Sequence, residues 1–206
     1  MPPHPMPTLD CRQFSPSAAR NRDPILAVLQ RVLPTAGLVL ELGSGTGEHA
    51  VHFARHLSAL RWQPSEADPA AMASITDWVA HSALPNVLPP LRFDLAASPW
   101  PLAAADAIVA INVLHYSPWE TTPALFAGAA EVLPAGGVVY CYGPYRRGGA
   151  HIAPSNADFD GWLRSVDARF AVRDLEAVEA EAQRRGFRLE EVVDMPANNF
   201  SLVFRR

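Results

Sequence analysis

Val39-Leu40-Glu41-Leu42-Gly43-Ser44-Gly45-Thr46-Gly47 is the stretch that decides the fold. A short apolar run ends at an acid, and three alternate glycines follow. Glu48-His49-Ala50-Val51-His52-Phe53-Ala54 comes next, with apolar residues at helical spacing. The order strand, tight glycine turn, helix opens a nucleotide-binding βαβ unit. Glycine is needed in such a turn because the chain leaves the strand sharply and its backbone must approach a ligand closely. The free N–H groups at the following helix N-terminus then face that ligand. The plainer alternative is an ordinary glycine-rich βα turn, and the rest of the chain has to decide.

Upstream, Ile25, Leu26, Val28, Leu29, Val32 and Leu33 fall on one helix face. Asp23 as cap and Pro24 at the first helical position predict its start. Residues 1–19, with prolines at positions 2, 3, 5 and 7, read as a loose N-terminal segment. Downstream, Leu60–Ser65 reads as a second strand finishing at Glu66, and Asp68-Pro69 caps the next helix. An acid at the end of the second strand, about 20 residues past a glycine turn, is placed to hold a ribose hydroxyl pair. Asp68 competes with Glu66 for that role, but it is better used as the cap. Leu91–Leu95 reads as a third strand carrying Asp94, either an acceptor for an adenine amino group or a turn aspartate.

Ala107–Ile111 is a continuous apolar run, as expected of a buried parallel strand. Asn112-Val113-Leu114-His115-Tyr116 follows at the end where open α/β sheets place their chemistry. Ser117-Pro118-Trp119-Glu120 matches a capping box, with Pro123 awkward inside the helix it would start. Val138–Tyr142 is a fifth strand, left by a polar glycine-rich loop. Two alternating strands, Phe187–Val193 and Phe200–Phe204, flank Asp194–Asn199; a connection this short predicts an antiparallel pair.

Composition narrows the function. At 206 residues and 49% hydrophobic, the chain is expected to form one domain over residues 1–206. All 17 basic residues are arginine and the net charge is −4, so no nucleic-acid groove is advertised. Cys11 and Cys141 make neither a disulfide framework nor a metal pattern, which predicts a reducing, cytoplasmic setting. No apolar run approaches the roughly 20 residues of a membrane span, and no signal pattern opens the chain. His49, His52 and His56 share a helical spacing, but a metal site would need a further ligand. A solvated edge is the better reading for His52 and His56, whereas His49 lies in the first turn beside the expected ligand. No metal is expected, and the oligomeric state is not encoded in any motif.

The glycine spacing discriminates among nucleotides. A nicotinamide or flavin site wants G-x-G-x-x-G/A directly after the strand, and the sixth position from Gly43 is Glu48. A P-loop needs a lysine, and the chain has none. What remains is Glu41-Leu42-Gly43-Ser44-Gly45-Thr46-Gly47, an E-x-G-x-G-x-G run. With Leu133-Pro134-Ala135-Gly136-Gly137 before the fifth strand, the chain resembles the class I S-adenosylmethionine (SAM) methyltransferases. More narrowly it resembles the methyltransferase-like twenty-six group, long catalogued as a domain of unknown function. The matching stretches include Asn21–Leu26, Trp62–Glu66, Ile111–Trp119, Tyr142–Tyr145, Ser155–Asp160 and Asp194–Asn199. Glu66 departs mildly from a pattern in which aspartate is common.

That resemblance implies a Rossmann-like α/β three-layer sandwich, its seven-stranded, mostly parallel sheet having an antiparallel last strand. It implies SAM as cofactor. The Gly43, Ser44, Gly45 and Gly47 turn would pass under the methionine portion, with Glu41 supporting the ammonium through water and His49 close by. Glu66 would hold the ribose, Asp94 with the Leu95 amide would read the adenine edge, and Asn112 would close over the methionine end. Methyl transfer from a sulfonium is an in-line displacement, so alignment of the acceptor is the protein's main task. Asn112 and His115 are the catalytic candidates. His115 is the candidate base, with a hydrogen-bonded structural histidine as the alternative. Asn21, Tyr116, Trp119, Tyr145, Asn198 and Asn199 are candidates for an acceptor pocket, though the aromatics could equally be packing. The absence of a D/N-P-P-Y run after the fourth strand and the acidic balance favour a small-molecule acceptor over nucleic acid. A SAM-binding regulatory or interaction protein without catalysis, and a nucleotide-binding oxidoreductase, are the rival classes.

Overall fold

The computed structural model describes residues 10–206. Its first half runs α1 (Pro16–Val32), β1 (Gly37–Leu42), α2 (Glu48–His56), β2 (Leu60–Glu66), α3 (Pro69–Ser82), β3 (Leu91–Arg92) and β4 (Ala107–Ile111). The second half runs α4 (Thr121–Val132), β5 (Val138–Gly143), β6 (Tyr145–Arg147), β7 (Ala150–His151), α5 (Pro154–Val166), β8 (Arg173–Asp174), α6 (Leu175–Arg184), β9 (Arg188–Met195) and β10 (Asn199–Arg205). Seven strands form one sheet in the order β3-β2-β1-β4-β5-β10-β9. β10 runs antiparallel to both of its neighbours, and the other main-sheet pairings are parallel. This is the Rossmann-like architecture expected from the sequence. The order reverses between β1 and β4, and the crevice outside their C-terminal ends is where such sheets bind ligands.

Strand alternation builds both layers. Leu40, Leu42, Ile108, Ala110, Val139 and Cys141 face the core under α4 and α6. Their neighbours Val39, Ala107, Val109, Val138 and Tyr140 face the opposite core under α1 and α2. A parallel sheet covered on both faces explains why these strands read as continuous apolar runs. Cys141 is fully buried and its thiol is pushed up to about 12 by that burial, so it serves as a small hydrophobe.

Several boundaries differ from expectation. The first helix starts at Pro16, capped by the Ser15 hydroxyl accepting from the Ala18 amide, so Pro24 sits inside it. Its first turns bury only Ala18, leaving no apolar periodicity to reveal them. Residues 10–15 do not hang loose: the Cys11 amide donates to Asp77 (2.6 Å), Gln13 to Ser74 (2.8 Å) and Ser15 to Glu48 (2.5 Å). Phe14 packs edge-on against Trp78. Residues 1–9, the rest of the expected loose segment, lie outside the described residues. The third strand is two residues long, because the Asp94 carboxylate takes the Ala96 amide (2.9 Å) and turns the chain. Ser117 caps nothing; α4 begins at Thr121 with Pro123 in its first turn, where a missing N–H costs no helix bond. The Asp174 side chain accepts from the Gly149 amide (2.8 Å), tying the turn before β7 to the start of α6. The glycine-rich segment after β5 supplies β6 and β7, which join β8 in a three-stranded sheet of order β7-β6-β8.

Candidate functional site

The β1–α2 turn is held open by backbone geometry. Gly43, Gly45 and Gly47 have φ of +59°, +54° and +92°, in the left-handed region that side chains disfavour. A Cβ on Gly43 would meet Val113 at 2.9 Å, and one on Gly47 would meet the Ile75 backbone at 2.9 Å. Gly45 is different: nothing lies within 4 Å of where its Cβ would be. So Gly43 and Gly47 serve packing, and Gly45 leaves a bare backbone facing open space.

Neighbouring polar groups clamp the turn. The Ser44 amide donates to the Ser65 carbonyl (2.9 Å) and the Ser65 amide to the Ser44 hydroxyl (3.2 Å), fixing the turn to the end of β2. Glu66 accepts from the amides of Gly45 (2.9 Å), Ala67 (2.8 Å) and Asp68 (3.2 Å). Asp68 caps α3 through the Ala70 amide (3.0 Å), the role expected of it. Glu41 is buried and accepts from the Trp62 indole (2.9 Å). Burial pushes its carboxyl up to about 7, with the indole bond opposing and nearby Glu66 adding to the rise.

Two cavities flank the strand ends. The first, ≈ 720 Å³, is lined by Gly43, Glu66, Asp94, Leu95 and Asn112, which brings five of the expected cofactor residues to one wall. Its lining also includes Phe93, within the expected third strand, and Arg169-Phe170, which carried no sequence signal. The second, ≈ 600 Å³, is lined by Asn21, Tyr116, Asn198 and Asn199, four of the expected acceptor residues, and by Asn112. Asn112 and Tyr116 line both, so the cavities meet there. Asn112 has φ +61°, and its carbonyl accepts from the amides of His115 (3.2 Å) and Tyr116 (3.4 Å), which coils the chain over the β4 end.

Other expected site residues lie elsewhere. His115 is fully buried and lines neither cavity. Its ring packs edge-on to Tyr145 (4.8 Å between centroids) and beneath Gly143, where a Cβ would strike Nε2 at 2.3 Å. Neither ring nitrogen has a hydrogen-bond partner, and burial pulls its pKa down to about 3. The structure thus places His115, expected as a candidate base, in the core and away from both cavities. Tyr145 is likewise fully buried, and Trp119 packs into the core with the Arg173 guanidinium over its ring (5.7 Å). Neither lines either cavity. His49 lines neither cavity; it bonds Asn21 (2.8 Å), stacks on Phe53, and is pulled down to about 4 by burial. Glu41, Ser44, Gly45 and Gly47 do not line the first cavity.

Ser17 and Arg20 join the second cavity from α1, and Tyr142 and Phe159 from β5 and α5. Ser17 and Arg20 were hidden in the stretch expected to be loose or short of a helix. Phe159 lay within a quoted matching stretch, and that was the signal available for it. Among the described residues, no His, Cys, Asp and Glu group is arranged to hold a metal, and no helix is long and apolar enough to cross a membrane.

A sequence model of the family described as "protein of unknown function (DUF938)" matches residues 12–206. The chain belongs to the DUF938 family. Solved structures similar to this DUF938 chain include an O-methyltransferase family protein from Burkholderia thailandensis, with a TM-score of 0.78 and 16% identity over 92% of this chain and 57% of that one. The mitomycin 7-O-methyltransferase MmcR matches with a TM-score of 0.78 and 16% identity over 92% of this chain and 54% of its own. CalO1, a methyltransferase in calicheamicin biosynthesis solved with S-adenosylhomocysteine (SAH), gives 0.73 and 19% over 92% and 54%. The likeness is one of fold, and this chain spans little more than half the length of those proteins.

Proposed function

We propose that this DUF938 chain is a SAM-dependent methyltransferase acting on a small-molecule acceptor, in the cytoplasm. The observation that carries it is the junction of two cavities at Asn112 and Tyr116, one under the strand ends and glycine turn, the other walled by helices. The resemblance to the methyltransferase-like twenty-six group supports the same reading, as do the names of MmcR and CalO1 for a small-molecule acceptor.

The residues present fit the cofactor. Gly43, Glu66, Asp94 and Leu95 stand together in the lining of a cavity of adequate size. In this reading Glu66 holds the ribose hydroxyls, Asp94 and the Leu95 amide bind the adenine edge, and Asn112 closes over the methionine end. SAM, when bound, supplies an electrophilic methyl carbon on a sulfonium. Glu41, with a proton that comes off near neutrality, provides a negative charge behind the turn for an ammonium group. The chain's further work is to align the acceptor atom at the junction and to keep water out, and alignment alone supplies up to roughly 7–11 kcal/mol. With His115 out of reach, the titratable side chain at the junction is Tyr116, whose phenol is raised further by burial.

The test is the melting temperature with SAM, SAH and NAD. A ligand at 100 times its dissociation constant stabilises by about 2.7 kcal/mol. A rise with SAM and SAH but not NAD is expected; no rise with either SAM-type ligand overturns the reading.

A further inference from the structure

The second cavity has a chemistry of its own. Among the described residues its lining holds one charged side chain, Arg20, and no carboxylate or imidazole. A lone cation there is not a general bias, because the chain carries a net charge of −4. Arg31, Arg164, Arg169 and Arg205 are ion-paired to neighbouring acids. Arg20 makes one hydrogen bond, to the Ser17 hydroxyl at 3.3 Å, which leaves most of its five donors unengaged. Arg20 lines the second cavity only, so its charge lies away from the junction at Asn112 and Tyr116.

The remaining walls are apolar or neutral. Tyr116 and Phe159 meet edge to face, 6.1 Å between centroids, and Pro144 and Pro196 contribute further apolar surface. The Tyr142 phenol is kept neutral by burial and remains a donor. Among the described residues, four non-glycine residues have left-handed φ, and three of them, Asn112, Ala197 and Asn198, line this cavity. Backbone strain of that kind persists where surrounding structure enforces it, and it collects at ligand sites. The Asn156 amide donates to the Asn198 carbonyl (2.9 Å) and the Asn198 amide to the Ser155 hydroxyl (3.1 Å), pinning the strained turn to the start of α5.

We propose that the second cavity binds a small aromatic acid, its carboxylate held by Arg20, its ring against Tyr116 and Phe159, and its methyl-accepting atom at Asn112. An arginine fork matches a carboxylate in two parallel hydrogen bonds. Aromatic and proline surfaces favour a flat body over a flexible chain. This rests on the methyltransferase reading and names the class of its acceptor.

Calorimetric titration of the full chain in saturating SAH tests it, with matched probes: 4-hydroxybenzoate against 4-hydroxybenzamide, and 4-hydroxycinnamate against its amide. The acids should bind about two- to fivefold tighter than the amides, the scale of one exposed ion pair. Arg20→Gln should abolish that preference and leave SAH affinity unchanged, and Arg20→Lys should restore part of it. Absence of acid binding, equal binding of acid and amide, or a preference surviving Arg20→Gln overturns the proposal. If SAH itself fails to bind the wild-type chain, the methyltransferase reading falls instead, and an acid preference that still depends on Arg20 would stand without it.

Discussion

Replacing His115 with phenylalanine separates two roles that the sequence left open. In the folded chain the imidazole is fully buried without a hydrogen-bond partner, and its pKa is held at about 3 against an ordinary 6.5. The folded pKa is depressed, so below about 6.5 the unfolded chain takes up a proton that the folded chain refuses. Stability is fully present above that pH and is lost as pH falls toward 3. Between about pH 7 and pH 5 this one group removes about 2 kcal/mol. His115→Phe has no such proton, and its ring can keep the edge-on contact with Tyr145. Urea denaturation at both pH values should show wild type losing about 2 kcal/mol more than the variant, whatever the variant's absolute stability. His49, also depressed by burial, titrates in both proteins and cancels in the difference. Methyl transfer, once an acceptor is found, should survive within a few-fold, whereas losing a general base costs about 10²–10⁴-fold. Parallel loss of stability in the two proteins, or a rate loss of that size, would refute the buried-spectator assignment.

Four further substitutions probe the glycine turn and the first cavity. Glu41→Gln should show the opposite pH dependence: the folded carboxyl is raised to about 7 from 4.5, so wild type weakens as pH rises through that window. By about pH 8 the variant should gain about 3 kcal/mol relative to wild type in urea denaturation, and none at pH 4. Gly45→Ala should cost about 1 kcal/mol for its left-handed backbone and weaken SAH binding. Gly47→Ala should cost about 2 kcal/mol or more, because its methyl meets the Ile75 backbone; equal costs for the two would contradict their different surroundings. Glu66→Gln should lower SAH affinity about tenfold or more by calorimetry, and unchanged affinity would remove it from the ribose role.

Legibility followed the range of the determining contacts. The β1–α2 turn was readable because its glycines are dictated by local backbone sterics, and Glu66 because it ends a strand whose register against β1 runs from Gly37↔Leu60 to Glu41↔Pro64. Asp68 was readable as a cap because capping is decided within two residues. The start of α1 was not, since its first turns face solvent and a cavity rather than a core. The β6 and β8 strands are three and two residues long, too short for any period to register. His115 shows the limit most sharply. Proximity to a strand end placed it near the site, but the coil around Asn112 sends Tyr116 to the cavities and His115 beneath Gly143.

The same division separates the two halves of the candidate site. The first cavity is framed by the ends of β1, β2 and β4, whose relative heights are locked by parallel ladders, so a residue's place in its strand determines its place in the wall. The second is framed by α1, α5 and the 196–199 turn, brought together across more than 170 residues of chain by side-chain bonds and strained backbone. A ladder tolerates little drift without misplacing every strand in it, whereas a helix flank can change a lining residue such as Arg20 without disturbing a core position. On physical grounds the first cavity is the constrained half and the second, with Arg20, the adjustable one. Tyr116 and Asn112 bear on both, because they alone of the described residues line the two cavities at once.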